Sequence, residues 1–98
     1  MNIEETIMIN SRKNRIKVIL QNIGIKWRNE GQPINSDKLN ELGISAYSMK
    51  DIIENRRQIT HQEAAVIAMW LGVDYDDLFE DSNTDLSDLI IKIKLRVA

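Results

Sequence analysis

The stretch SDKLNELGISAYSMKDIIENRR, residues 36–57 of this 98-residue chain, decides the fold. Ser36 with Asp37 predicts the start of a short helix that runs to Leu42, and Gly43 suits a left-handed corner at its end. Ser45 predicts the N-cap of a second helix. The buried face of that second helix is predicted to carry Met49, Ile52 and Ile53. Two short helices joined by a glycine-centred corner are the outline of a helix-turn-helix motif.

One more helix is predicted before this stretch. Ser11 can cap a helix that begins at Arg12. Its apolar stripe, at i, i+3, i+4 and i+7, is Ile16, Ile19, Leu20 and Ile23. Gly24 either ends this helix in a left-handed conformation or lies inside a longer helix that brings Trp27 one turn beyond the stripe. Glycine and proline at 31 and 33 predict an irregular segment around 30–35. Residues 3–9 read either as a short strand or as a frayed tail.

Two helices are predicted after the motif. Thr60 and Glu63 have the spacing of a capping box, which starts a helix that Gly72 ends. The stripe of this helix is Ala64, Ile67, Ala68 and Leu71. Asp74 is the expected cap of a short acidic helix that closes the core with Leu78 and Phe79.

The last segment, from Thr84, has two interpretations. As a helix it has a stripe of Leu86, Leu89, Ile90 and Ile93, with aspartates early and basic residues late. As a strand, residues 91–97 alternate strictly between apolar and basic side chains. We slightly favour a strand for these seven residues. A lone strand needs a partner, which could be residues 3–9, a second copy of the chain or another protein.

The composition bounds the function. The chain has no cysteine and one histidine, which argues against disulfides, thiolate metal sites and histidine metal centres. We expect a soluble cytoplasmic protein, because the acidic start lacks a secretory n-region and no apolar run is long enough to span a membrane. Residues 1–72 carry ten basic and eight acidic residues, whereas residues 73–98 carry three and seven. The net charge of −2 therefore hides a basic N-terminal part.

Four segments resemble the lambda-repressor-like, Cro/repressor (XRE) type of helix-turn-helix family over residues 12–80. They are Gly43-Ile44-Ser45, the helix end Ile52-Ile53-Glu54-Asn55-Arg56-Arg57, the capped helix 60–71, and LGVDYDDLFE at 71–80. The resemblance implies an all-α, five-helix DNA-binding bundle. Residues 1–10 are then an N-terminal tail or strand, 11–80 the helix-turn-helix domain, and 81–98 a C-terminal extension, strand or helix, for dimerisation or partner binding.

Three features depart from the family pattern. Residues 26–33, KWRNEGQP, look inserted. Lys38 and Leu39 stand where the family has a large and then a small apolar residue. Ile53 replaces a glutamate whose usual arginine partner corresponds to Leu20, and Asn55 replaces a glycine. Exchanging both members of a buried ion pair for apolar residues can be neutral, so we predict that Leu20 packs on Ile53. Asn tolerates the left-handed conformation next best after Gly.

The resemblance also implies the DNA contacts. The N-terminal end of the second motif helix, about Ser45–Asn55, would enter the major groove. Lys50 could donate to guanine, and Tyr47 could contact a base methyl or a phosphate. Arg56 and Arg57 are expected to clamp phosphates, and the start of the first motif helix could bind another. The full expected set is Ser36, Ser45, Ala46, Tyr47, Ser48, Lys50, Asp51, Arg56 and Arg57. The plain alternatives are a solvated helix face, a surface arginine pair and an ordinary N-cap.

The sequence therefore predicts a sequence-specific DNA-binding transcriptional regulator, in the manner of a repressor, that binds double-stranded DNA as a homodimer. The alternative is a protein-interaction module on the same scaffold, such as the antitoxin of a toxin–antitoxin pair, with a protein partner at residues 84–98. We expect no enzyme activity, no cofactor, no metal and no membrane partner, because no catalytic constellation is present.

Overall fold

A computed structural model describes residues 9–10, 12–25, 28–29, 32–33 and 36–97. Within these residues the chain is predominantly helical. The helices are α1 Ile16–Asn22, α2 Ser36–Leu42, α3 Ala46–Ile53, α4 His61–Leu71 and α5 Leu86–Val97, with a 3₁₀ helix at Tyr75–Leu78. Four two-residue strands accompany them: β1 Ile9–Asn10, β2 Arg28–Asn29, β3 Gln32–Pro33 and β4 Ile59–Thr60. Strand β1 pairs antiparallel with β4, and β2 pairs antiparallel with β3.

A single cluster of buried apolar side chains joins all five helices. Each helix contributes the face that its apolar spacing predicts, because burying that face is the main favourable term in folding. The most enclosed large members are Phe79, Ile16, Ile19, Leu20, Met49, Ile52, Ile59, Ile67, Leu71, Leu78, Leu89 and Ile93. Leu20 and Ile53 are 2% and 3% exposed and belong to this same cluster. Their direct contact stays a prediction. It requires that both side chains lie in the same part of the core, and both belong to one buried cluster.

Four of the helices end in the same hydrogen-bonded motif. The residues that follow them, Gly24, Gly43, Asn55 and Gly72, all have positive φ, between 56° and 77°. In each case the next backbone N–H donates to a carbonyl five residues earlier, as in the pair Ile44 and Leu39 at 3.0 Å. These are Schellman motifs, which satisfy the free carbonyls of a helix end. The left-handed corner predicted at Gly43 is confirmed, and Gly24 ends α1, so the interpretation of a longer helix is wrong.

Helix α1 begins at Ile16, and the predicted start at Arg12 is wrong. The reason is tertiary, since residues 13–15 run as an extended segment along residues 78–80. The Arg15 N–H donates to the Leu78 carbonyl at 2.8 Å, and the Glu80 N–H donates to the Lys13 carbonyl at 2.9 Å. Asn14 and Phe79 form an antiparallel bridge between these bonds. The proposed cap, Ser11, lies outside the described residues.

Two further expectations need correction. The sequence predicts an irregular segment around 30–35, yet Gln32 and Pro33 pair antiparallel with Asn29 and Arg28. The other members of that segment, together with Trp27, lie outside the described residues. The acidic helix after Gly72 is a single 3₁₀ turn, and Asp74 stands at its start without a side-chain capping bond. The capping box of Thr60 and Glu63 is present as predicted.

The C-terminal segment is a helix, so the preference for a strand is wrong. Leu89, Ile90 and Ile93 are 0%, 9% and 0% exposed and pack into the common core, where α5 contacts α1. A strand would have placed Ile91, Ile93 and Leu95 on one face. Instead Ile91 and Leu95 point away from the core, 56% and 77% exposed. The core offers a surface that a helical stripe fills, and α5 therefore needs no strand partner.

The link between the 3₁₀ helix and α5 contains a buried carboxylate. Asp77 is 5% exposed, and one of its oxygens accepts a hydrogen bond from the Ser82 hydroxyl at 3.1 Å. Burial alone would raise the pKa of Asp77, but hydrogen bonds from Thr84, Ser82 and the backbone lower it below its ordinary value of 3.8. The charged form of Asp77 is thus bound within the fold and orders the turn that leads into α5.

No described helix has both the length and the apolar content needed to cross a membrane.

Replacing Leu89 with alanine should lower the free energy of unfolding by about 2–5 kcal/mol, because the side chain is fully enclosed in the common core. Leu95→Ala, on the outer face of the same helix, should change it by less than about 0.5 kcal/mol. Equilibrium denaturation in urea measures both. A Leu89→Ala variant as stable as the Leu95→Ala variant would show that α5 is not part of the core.

Stability should fall in acid partly through Asp77. Its pKa is lower in the folded than in the unfolded chain, so its stabilisation is present above the ordinary value of 3.8 and is lost as pH falls through the folded value. Asp77→Asn should therefore be less stable at neutral pH and lose less stability on acidification. Ser82→Ala, which removes one of the hydrogen bonds, should fall between wild type and Asp77→Asn. Melting temperatures at neutral pH and near pH 3 test this, and parallel profiles for all three proteins would contradict it.

Candidate nucleic-acid interface

The corner between α2 and α3 is held by backbone hydrogen bonds and by one apolar anchor. Gly43 has φ of 75°, and its N–H donates to the Asn40 carbonyl at 3.1 Å. Ile44 is 5% exposed and returns the chain to the core. Ser45 is the N-cap of α3, where its hydroxyl accepts from the Ser48 N–H at 3.1 Å. The two helices are thus joined by a short corner with few free torsions, which holds the start of α3 in one direction.

Helix α3 presents its N-terminal end to solvent. Met49, Ile52 and Ile53 are buried, and the helix therefore has one face fixed in the core. On the other side Tyr47 is 81% exposed. Among the other predicted base contacts, Ser45 is exposed and Ser48, Lys50 and Asp51 are half-buried. Ala46 packs against the core, which leaves little of it for a ligand.

The C-terminal end of α3 is attached to the segment before α1 by two asparagines. The Asn55 carboxamide accepts from the Asn14 N–H at 3.0 Å and donates to the Asn14 carbonyl at 3.0 Å. The Asn14 amide group donates to the Ile52 carbonyl at 2.7 Å and to the Asn55 side chain at 3.1 Å. Its oxygen accepts from the Ile16 N–H at 3.0 Å, at the start of α1. Asn14 is 3% exposed, so these hydrogen bonds supply the partners that water would otherwise give its polar atoms.

This network explains why asparagine occupies position 55. Its φ of 56° is a conformation that glycine adopts most readily, and asparagine is the next best choice. Glycine would supply the conformation without the three side-chain hydrogen bonds to Asn14. The sequence analysis does not single out Asn14 and gives Ser11 as the expected cap. The available signal was an asparagine just before the apolar stripe of α1, because asparagine is a preferred capping residue.

The predicted phosphate clamp at Arg57 is engaged within the chain. Its two terminal nitrogens donate to both oxygens of Glu63, at 3.1 and 2.6 Å, and one also donates to the Gln58 carbonyl at 2.9 Å. Burial alone would raise the pKa of Glu63, but the bonds from Arg57 and Thr60 lower it, and the ion pair raises the pKa of Arg57. Arg57 thus fastens the end of α3 to the capping box of α4. Arg57 could contact a phosphate only if its ion pair with Glu63 were broken.

The remaining basic residues near α3 differ in how freely they can meet an anion. Arg56 is 2.9 Å from a Glu54 oxygen, and Lys17 of α1 is 4.0 Å from the other oxygen. Both side chains are more than half exposed, so these pairs are weak. Lys50 forms no salt bridge to any residue that the structure describes.

An open groove runs between α1 and the end of α3. It is about 540 Å³ and is lined by Arg15, Lys17, Arg56, Glu54 and Glu80 among others. Three basic and two acidic groups share its rim, so the groove is only weakly positive. Ser36, the other predicted phosphate site, is the first residue of α2. The exposed Asp37 follows in the first turn and opposes an anion there.

The structure therefore places Ser45, Tyr47 and Ser48 at the start of α3 and Lys50 in its last turn. Arg56 follows the C-terminal end of α3, and Ser36 lies on a different helix. No cluster of three or more potential metal-ligating side chains occurs in the described part of the chain. Comparison of the chain with protein-family models, with curated proteins and with solved structures finds no match.

Replacing Asn55 with glycine should lower the free energy of unfolding by about 1–3 kcal/mol, because Asn14 loses partners that water replaces only in part. Asn55→Ala should cost about 1 kcal/mol more, since alanine adds strain at positive φ. Urea denaturation of both variants gives the comparison. A glycine variant at least as stable as wild type would show that the asparagine pair does not hold α3.

Proposed function

We propose that this chain is a sequence-specific DNA-binding transcriptional regulator of the Cro/repressor type, and that the start of α3 reads base edges in the major groove. One observation carries the proposal. A short corner joins α2 to α3, and α3 is buried along one face while its other side carries Tyr47 and Ser48 in the first turn and Lys50 in the last turn. This is the arrangement through which helix-turn-helix proteins insert a recognition helix. The lambda-repressor-like bundle remains part of this proposal.

The chemistry of the side of α3 that faces away from the core suits base reading. The Lys50 ammonium can donate to guanine O6 and N7, and the Ser48 hydroxyl can donate or accept. Tyr47, 81% exposed, offers an apolar ring for a thymine methyl and a hydroxyl for a phosphate. Asp51 is useful only as an acceptor from cytosine or as a partner of a base-contacting lysine. The side-chain set therefore favours recognition of mixed sequence over pure electrostatic binding.

Electrostatics limits how strongly one copy can bind. Arg12 is bonded to Asp76 and Asp81, Arg57 to Glu63, and Lys38 to Glu41, so these side chains are partly neutralised. Lys50 forms no salt bridge among the described residues, and Lys17 and Arg56 have only their weak pairs with Glu54. With two or three phosphates neutralised per copy, the logarithm of the affinity should fall with the logarithm of salt concentration with a slope of about −2 to −3. Two copies on adjacent half-sites would roughly double the slope.

The antitoxin-like alternative is favoured by a separate observation, the exposed apolar residues on α4 and α5, which include Met69, Ile91 and Leu95. Exposed apolar patches mark interaction sites. The two readings separate in a fluorescence anisotropy titration against mixed-sequence duplex DNA at low and physiological salt. Affinity that falls steeply with salt supports the DNA reading, and absence of binding even at low salt would overturn it.

Lys50→Glu should weaken DNA binding by about 10- to 100-fold, because it removes a donor and adds repulsion at the base edges. The matched control is Lys94→Glu, the same change of charge on α5. The control should bind DNA nearly as wild type does, and both variants should keep the wild-type melting temperature. Equal losses of affinity would show that only net charge matters and that α3 is not the reading element.

A further inference from the structure

Beyond its polar first turn, helix α4 is apolar around its whole circumference from Ala64 to Leu71. Its inner face, Ala64, Ile67, Ala68 and Leu71, is buried in the core. Its outer face continues with Ala65, Val66, Met69 and Trp70 in place of the polar residues that a surface helix ordinarily has. Met69 is 79% exposed. A helix with apolar residues on every side is ordinarily covered on every side, so the outer face of α4 has the composition of an interface.

On this face the protruding Met69 side chain lies between two grooves. Met69 stands between two shallow grooves, and it lines both of them. The groove towards α2 is about 300 Å³ and is lined by Leu42, Val66 and Trp70. The groove towards the 3₁₀ helix and the end of α5 is about 550 Å³ and is lined by Ala65, Val73 and Tyr75. One surface thus carries both a protruding apolar side chain and apolar depressions that can receive one.

The charges on this surface are balanced. The groove towards α2 has Lys38 and Glu41 at its edge, and these two are paired at 3.1 Å. The other groove has Arg96 and Asp74 at its edge. Each side therefore contributes one cation and one anion. A polyanion or a strongly basic partner would meet repulsion on one group of each pair, whereas a surface with the same balance meets both signs favourably.

We propose that the outer face of α4 binds a second copy of this chain in a two-fold symmetric contact, with Met69 of each copy seated in a groove of the other. In an isologous contact the same patch must supply both the protruding side chain and the groove that receives it, and both positive and negative groups at its edge. The outer face of α4 supplies all of these. The small side chain of Ala65 permits close approach of the two helices. None of these residues belongs to the expected DNA contacts, so the proposal stands independently of the proposed function.

Sedimentation velocity of the full-length protein, in the absence of DNA, tests the contact over a range from about 1 to about 200 μM. Wild type should change from monomer to dimer across this range. Met69→Lys should raise the dissociation constant by about 100-fold or more, because it places an unpaired charge in each half of the contact. Leu95→Lys is the matched control, since Leu95 is 77% exposed against 79% for Met69 and lies on the outer face of α5.

The control should dimerise as wild type does, and so should Met69→Leu, which keeps an apolar knob of similar size. Circular dichroism melts of the three variants establish that each is folded. A wild type that stays monomeric throughout the range would overturn the proposal. So would equal weakening by Met69→Lys and Leu95→Lys, or weakening by the α5 variant alone, because the contact would then lie elsewhere.

Discussion

The position of α3 depends on one paired interaction, the reciprocal hydrogen bonds between Asn14 and Asn55. Asn55 ends α3 in a left-handed conformation and bonds the backbone of Asn14 on both its N–H and its carbonyl. Asn14 donates to the Ile52 carbonyl, and its side-chain oxygen accepts from the Ile16 N–H at the start of α1. The same extended segment bonds residues 78 and 80 on its other side. Residues 13–15 thus connect α1, α3 and the 3₁₀ turn through hydrogen bonds.

These hydrogen bonds are directional, whereas apolar packing is not. Apolar contacts are non-directional, so a core of isoleucine and leucine side chains tolerates small rotations of a helix. Buried amide groups do not, because each donor or acceptor left without a partner costs about 1–3 kcal/mol. The asparagine pair at one end of α3 and the capped corner at the other therefore define its direction. A helix that reads a ligand with its first turn needs such a fixed direction.

Internal pairing also shapes the surface. Arg12 lies over the Phe79 ring at 4.2 Å and is bonded to two aspartates, and Arg57 is held by Glu63. The sequence indicates Arg57 as a phosphate contact and places Arg12 in the basic N-terminal part of the chain. Their carboxylate partners are distant in the chain for Arg12, 64 and 69 residues away, so no local pattern indicated the pairing. What is left around α3 is a small set of cations and a polar helix start.

The local signals in the sequence were sufficient for most helices. Capping residues, apolar stripes and left-handed glycines act within a few residues of one another, and they predicted α2, α3, α4 and the end of α4. They left the end of α1 open between Gly24 and a longer helix. Tertiary structure decided the rest. The start of α1 moved to Ile16 because residues 13–15 bond to a segment more than sixty residues away. The C-terminal segment became a helix because the core had a surface for Leu89, Ile90 and Ile93, and its alternation alone could not distinguish that from a strand. Arg57 became a structural ion pair, and Asn14 a central hydrogen-bonding residue, because their partners are assembled only when the helices pack.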